Sequence, residues 1–333
     1  SQSSDCPAVS GNHSLLFHPR QPPLTFMTGI QTQAQFALQE TYRFIDTHLL
    51  PALDWPALSA AVAFRRNAPR PDTAVFSDTL PLVVYQALGG EPVDALPLNA
   101  CWLLHLLAAR VFDDIQDEEG GDHPWHQDGL RQALPTGIGL QAAATLSLAH
   151  LPCDVETLAA LLEVFGRATA VAARAQSLER GGDLADGALD RYFAHIGATT
   201  AEVFGAGAWA GGRLYHNEAE RLEALCNFGY NFGLYVAILD DCLDVADVAH
   251  GRFRLPVLYA ASLQEHPAHP ELLALLSQPT LAQHVDQVQG LLGEMGAVIW
   301  SANLATAFRQ KAVDALQALP QSVQEALIPY VST

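Results

Sequence analysis

The sequence predicts one all-helical domain, and three observations carry that prediction. From about residue 30 onward, apolar residues recur at helical spacing, as in Phe36, Leu38, Tyr42, Ile45 and Leu49. The alphabet is rich in Ala and Leu, which are strong helix formers, while alternating runs of Val, Ile, Thr and Tyr are scarce. Breaker pairs (Gly89-Gly90, Gly120-Gly121, Gly181-Gly182, Gly211-Gly212) separate the periodic stretches.

Each element follows from the same reading. Residues 1–26 are rich in Ser, Pro, Gln and His, lack periodicity, and are expected to form a poorly ordered extension before a single domain over residues 27–333. Leu103, Leu104, Leu107 and Val111 mark a core helix. Its apolar run, residues 98–112, contains Asn99, His105 and Arg110 and is shorter than a bilayer span, so no stable membrane insertion is expected. Further helical segments are expected over 155–180, 188–213, 217–248, 254–264, 270–277 and 280–318. Half of the 333 residues are apolar, enough for one large bundle core.

The formal charge is −19, and there is no Lys/Arg run, which argues against nucleic acid and anionic membranes as partners. The five cysteines (Cys6, Cys101, Cys153, Cys226, Cys242) lack metal-ligand spacing and read as reduced thiols of a cytoplasmic protein. No nucleophile elbow, P-loop or dinucleotide fingerprint is present.

Two carboxylate clusters stand out. Asp113-Asp114-Ile115-Gln116-Asp117 follows the apolar stretch at residues 103–112, and Asp240-Asp241-Cys242-Leu243-Asp244 follows the one at 232–239. Asp113 and Asp117, and likewise Asp240 and Asp244, stand at i, i+4 and project from one helix face. Like charges at that spacing repel, by about 0.2–0.5 kcal/mol per pair. A bound divalent cation reverses the sign, and hard carboxylate oxygens that leave room for substrate phosphates suit Mg²⁺.

With these clusters the chain resembles the polyprenyl synthase family, the isoprenyl diphosphate synthases, from about residue 60 to 330. Ala175-Gln176-Ser177-Leu178-Glu179 resembles the family's GQxxD segment. Residues 192–204 sit where the family has its Y…KT…L helix, and Gly233 stands seven residues before the second cluster as the family's glycine does. Gly251-Arg252-Phe253-Arg254-Leu255-Pro256-Val257 resembles GKxTLPV. The resemblance implies an isoprenoid synthase-type helical bundle with a central apolar cavity, and a homodimer. It implies an Mg²⁺ site, three ions held by Asp113, Asp114, Asp117, Asp240, Asp241 and Asp244, that ionises an allylic prenyl diphosphate. Asp113, Asp117 and Asp240 would carry the catalysis. Arg252, Gln176 and Arg70 would bind substrate, and Ala108 and Ala109, four and five residues before the first cluster, would line a tail pocket roomy enough for C15–C20.

The departures are cationic. In the family's GGKxxRP segment, read here as residues 65–71, the lysine position holds Asn67, and only Arg70 and Pro71 match. The Arg-Arg pair expected after the first cluster is missing up to Arg131, the KT lysine falls on Ala198 or Thr199, and Val236-Ala237 replaces FQ. A diphosphate without paired cations binds poorly in an acidic site. The expectation is therefore a lyase-like, terpene synthase-type quenching of the cation. The alternatives are a chain-elongating transferase using Arg65, Arg66 and Arg70 for isopentenyl diphosphate, and a non-catalytic partner subunit of a heteromeric synthase. Arg254 is a second candidate diphosphate ligand, Arg191 a candidate pyrophosphate sensor, and His123 and His126 candidate stand-ins for the missing arginines. Phe112, Phe204, Phe228, Phe232 and Tyr235 are candidate cavity aromatics.

Overall fold

The computed structural model describes residues 24–68, 72–117, 123–178, 184, 186–243 and 245–331, and among them there is no strand. The chain enters through α1 (Leu24–Phe44), a π turn at Ile45–Leu49, α2 (Leu50–Leu53), α3 (Pro56–Asn67) and α4 (Asp72–Ala87). It continues through α5 (Leu96–Gln116), α6 (Leu130–Ser147), α7 (Val155–Leu178), α8 (Ala188–Ile196), a second π turn at Gly197–Ala201, and α9 (Glu202–Tyr215). It closes with α10 (Ala219–Leu243), α11 (Leu255–Ser262), α12 (His269–Leu276), α13 (Val285–Glu294), α14 (Ala297–Ala315) and α15 (Gln321–Val331).

Two helices organise the bundle. Pro97, within the first turn of α5, fits where no intrahelical N–H partner exists, and the segment is apolar on nearly every side. Residues 97–104 are all buried, Trp102 among them, whose indole N–H donates to Ser77 O at 2.7 Å. α10 runs against α9 and α14. Its approach to α9 requires glycine: a Cβ on Gly229 would stand 2.3 Å from Phe204 O, and one on Gly233 2.9 Å from Phe204 Cβ. The aromatics here form a packed column, with Phe232 meeting Phe76 at 5.0 Å, Phe204 at 5.7 Å and Phe228 at 6.2 Å between ring centroids.

By length and apolarity alone, α5 with its preceding turn (Pro92–Gln116) and α10 are each long enough to cross a membrane. The apolar length of the first exceeds the 98–112 run read from the sequence. About 67% of the apolar stretch of the first and 56% of that of the second is buried inside this fold, so the bundle itself covers much of both. The segment expected as one helix over 280–318 is divided, because Gly296 takes φ +68° between α13 and α14. That break lets α11 to α13 build a smaller core of Val257, Leu272, Val288 and Leu292 beside the main one.

Both core helices surface at their aspartates. In α5 one side stays buried through Val111 and Asp114, while Ala109, Asp113, Gln116 and Asp117 are exposed. In α10 Ile238 is buried while Asp240 and Leu243 are exposed. The carboxylates thus occupy the C-terminal turns, where the helix dipole is already negative. Each such placement costs roughly 0.3–1 kcal/mol unless a cation offsets it.

Candidate active site

Ala109, Asp113 and Asp117 form one stripe on α5, one turn apart. Gln176, near the end of α7, donates from Nε2 to Asp113 Oδ1 at 3.1 Å. Gln116 returns the bond by donating from its own Nε2 to the Gln176 carbonyl at 2.9 Å. The end of α7 is thereby latched to the rim of α5, and the Asp113 carboxylate is held in place.

From Asp117 a chain of alternating charge crosses to the second cluster. Arg252 Nη1 donates to Asp117 Oδ2 at 2.9 Å, and its Nε lies 3.9 Å from Asp247 Oδ2. Arg254 donates to that same oxygen from Nε at 3.1 Å and from Nη2 at 2.8 Å. Its Nη1 stands 4.0 Å from Asp241 Oδ1. Two clusters more than a hundred residues apart are therefore joined by Asp117, Arg252, Asp247, Arg254 and Asp241. All of these side chains except Asp241 keep about a quarter or more of their surface in solvent, so the pairs are exchangeable rather than locked.

The second aspartate of each cluster does something else. Asp114 is buried, about 100° around the helix from Asp113. Its Oδ2 accepts from Trp125 Nε1 at 2.9 Å and contacts His123 Nδ1 at 2.8 Å, while Arg110 Nε sits 2.7 Å from Oδ1. Asp241 is also buried, and its Oδ2 accepts the Leu255 N–H at 3.1 Å, holding the first residue of α11. Tyr192 lies beside it, its hydroxyl pKa raised by burial first and by the Asp241 charge second. Expected as equal metal ligands, the six aspartates divide: Asp113, Asp117 and Asp240 face outward, Asp114 and Asp241 anchor helix ends. Asp244 lies outside the described residues, as does Arg70.

The remaining expectations have the following positions. Ala108 is buried and Ala109 exposed on the aspartate stripe. Arg65 donates to buried Asp78 at 2.6 Å, and Arg66 donates to Asp46 at 2.6 Å while its guanidinium lies over the Tyr42 ring. Arg191 donates to the Asp186 carbonyl at 2.8 Å. Ala198 and Thr199, at the KT position, fall within the second π turn, where Thr199 donates to His195 O. Phe112 packs on α6, since a Cβ on Gly137 would meet its ring at 2.6 Å, and Phe204, Phe228, Phe232 and Tyr235 are buried in the column described above.

Sequence reading missed Asp247 and Trp125, and placed Tyr192 only as the first residue of the stretch matching the family's Y…KT…L helix. The signal for Asp247 was indirect: two arginines beside an acidic cluster need a counterion between them. His123 and His126 were weighed as cationic stand-ins, yet both turn to Asp114.

Comparison with known proteins gives the family and the fold. The polyprenyl synthetase family matches residues 78–295, more than half of the chain. The (2E,6E)-farnesyl diphosphate synthases of Mycobacterium tuberculosis and Mycobacterium bovis are 30% identical over 171 residues, 50% of this chain and 47% of theirs. The chain thus spans about half the length of the curated relatives it matches. A geranylgeranyl pyrophosphate synthetase structure from Pyrococcus horikoshii superposes with a TM-score of 0.75 at 22% identity, over 91% of this chain and 95% of that one. A polyprenyl synthase from Caulobacter crescentus, solved with calcium and isoprenyl diphosphate, gives 0.73 at 24%, with the same coverage. These likenesses show the fold, an isoprenoid synthase helical bundle. On the family match over residues 78–295, the chain belongs to the polyprenyl synthetase family.

Proposed function

We propose that this protein is a prenyltransferase that ionises an allylic prenyl diphosphate and passes the allylic group to isopentenyl diphosphate. The observation that carries the reading is the charge chain from Asp117 through Arg252, Asp247 and Arg254 to Asp241. It puts exchangeable cations between the outward Asp117 of one core helix and the end of the other, where Asp240 also faces outward. The farnesyl diphosphate synthase relatives support transfer, rather than the lyase outcome favoured on sequence, as the fate of the cation.

The family generally uses Mg²⁺, and the donor set fits it: Asp113, Asp117 and Asp240 offer hard oxygens, exposed, at the negative ends of helices. Three ions, as the resemblance implies, would neutralise charge growing on the leaving pyrophosphate. The protein's own residues do the rest. Gln176 fixes Asp113. Arg252 is poised to exchange the Asp117 carboxylate for a diphosphate oxygen, a stronger anion for its planar donors. Asp247 keeps Arg252 and Arg254 at the rim while that exchange occurs. The C–O bond breaks with its electron pair leaving on pyrophosphate. The isopentenyl alkene then attacks the allylic cation, and the new cation loses a proton to the released pyrophosphate.

A homodimer is part of the reading. On α6, Leu130, Leu134 and Ile138 recur at four-residue intervals within about 80° of one face and are 48–65% exposed, an apolar stripe suited to a second copy. The small side chains of Ala108 and Ala109 support C15–C20 substrates.

One observation favours the lyase-like second reading, in which water or cyclisation quenches the cation. Arg65 and Arg66 are committed to Asp78 and Asp46, and Asn67 replaces the family lysine, so the isopentenyl diphosphate cations are few. Incubation with Mg²⁺ and farnesyl or geranylgeranyl diphosphate, with and without isopentenyl diphosphate, separates the two. A longer diphosphate formed only with isopentenyl diphosphate is expected. Hydrocarbon or alcohol formed without it would replace transfer by the second reading.

A further inference from the structure

We propose that Asp114, His123 and His126 form a second metal site, for a borderline-soft divalent ion such as Zn²⁺, separate from the outward magnesium carboxylates. Among the described residues, this is the one trio of His, Cys, Asp or Glu whose ligand atoms all lie within 4.8 Å of one another. Asp114 is 1% exposed as a side chain, His126 14% and His123 24%, so the ligands are withdrawn from bulk water.

The geometry suits zinc. His126 Nε2 stands 3.5 Å from Asp114 Oδ2. The edge between two ligands of a tetrahedral zinc is about 3.4 Å for metal–ligand bonds of about 2.1 Å. His123 Nδ1 lies at 2.8 Å from the same oxygen, and admitting an ion between them needs an opening of roughly half an ångström. His126 Nε2 is buried and has no hydrogen-bond partner among the described residues. It faces the Asp114 carboxylate across 3.5 Å without a hydrogen bond, and a metal between them would satisfy both.

The surroundings already hold the ligands. Trp125 Nε1 donates to Asp114 Oδ2, and Phe64 packs edge-on against both His123 at 5.0 Å and Trp125 at 5.4 Å between centroids. Such outer contacts fix ring orientation in metal sites. Two imidazoles and one carboxylate favour zinc-like ions over magnesium, which prefers oxygen alone. The ion would clasp the Pro124–His126 turn to the last turns of α5, one residue from Asp113. The proposal does not depend on the prenyl diphosphate chemistry.

The test is a Co²⁺ titration of the full chain, stripped with chelator, in saturating Mg²⁺, followed by the visible absorption of bound Co²⁺. One Co²⁺ per chain is expected, displaced by Zn²⁺. His123→Ala and His126→Ala should each weaken binding at least about tenfold, while Asp113→Asn should bind as wild type does. Circular dichroism checks that each variant is folded, and His126→Gln supplies a substitution closer in size. An absent Co²⁺ signal, or an unchanged titration in folded His126→Ala and His126→Gln, overturns the site. Magnesium-dependent turnover is a separate readout, so failure of one does not disguise failure of the other.

Discussion

Arg252 Nη1 donates to Asp117 Oδ2 at 2.9 Å, a bond that spans 135 residues of sequence and joins the segment after α10 to the end of α5. An arginine placed on a carboxylate at the rim neutralises that carboxylate while no substrate is bound. Under the proposed function, the same guanidinium would turn to the phosphate oxygens once a diphosphate and metal arrive.

Arg252→Ala should therefore lower kcat/KM for the allylic diphosphate by roughly 10²-fold, the scale for removing one donor to developing charge. Arg252→Lys should recover part of the loss, since it keeps the charge but not the fork. Steady-state kinetics on the three proteins checks this. Equal activity of wild type and Arg252→Ala would remove Arg252 from the site.

Inner and outer aspartates should separate in stability. Asp114→Ala strips partners from Trp125, His123 and Arg110, and should cost about 1–3 kcal/mol. Asp113→Ala removes a charge from the wrong end of a helix dipole and should be neutral, or stabilising by about 0.3–1 kcal/mol. Urea denaturation of both variants measures the difference. A larger loss in Asp113→Ala would contradict the division.

Gly229→Ala should be destabilising by about 1–3 kcal/mol, because the added Cβ meets backbone, Phe204 O at 2.3 Å, which cannot swing aside. Gly166→Ala is the control. Nothing lies within 4 Å of its Cβ position in α7, and it should stabilise by roughly 0.5–1 kcal/mol. Thermal melts of the pair decide it, and a Gly229→Ala protein as stable as wild type would refute the close α9–α10 contact.

Burial holds His105 below its ordinary pKa of 6.5, with a Gln141 hydrogen bond partly opposing. The unfolded chain thus takes up a proton that the folded chain resists. Stability is fully present above that ordinary value and is lost as pH falls below it toward the folded pKa. Between about pH 8 and about pH 5.5, Tm should fall more in wild type than in His105→Leu, whose side chain still packs on Phe165. Equal slopes would show that His105 contributes nothing to the pH dependence.

Much of the fold was legible because core helices announce themselves. The apolar runs before residues 113 and 240 became α5 and α10, and their acidic ends became the rim. The division within each cluster was half legible: i, i+4 spacing put Asp113 with Asp117, but periodicity alone did not say which side of α5 faces Trp125. That choice is made by packing of the Pro124–His126 turn, which no spacing encodes. Asp247 was hidden as one acid among 36, since its role exists only once Arg252 and Arg254 fold back beside it. The split of residues 280–318 turns on a backbone conformation at Gly296, and a lone glycine in an apolar helical pattern does not declare its φ. The lyase expectation rested on cations counted in alignment with the family, whereas the family match and the farnesyl diphosphate synthase relatives point toward transfer.

The measurement that bears most directly on the site is pyrophosphate release from farnesyl or geranylgeranyl diphosphate, with isopentenyl diphosphate present. Wild type would be compared with Asp113→Ala and Asp240→Ala, each with Mg²⁺ and after chelation. Release that requires Mg²⁺ and disappears in both folded variants is the expected result. Wild-type release from either variant, or from the chelated enzyme, would contradict a shared metal–diphosphate site at the ends of α5 and α10.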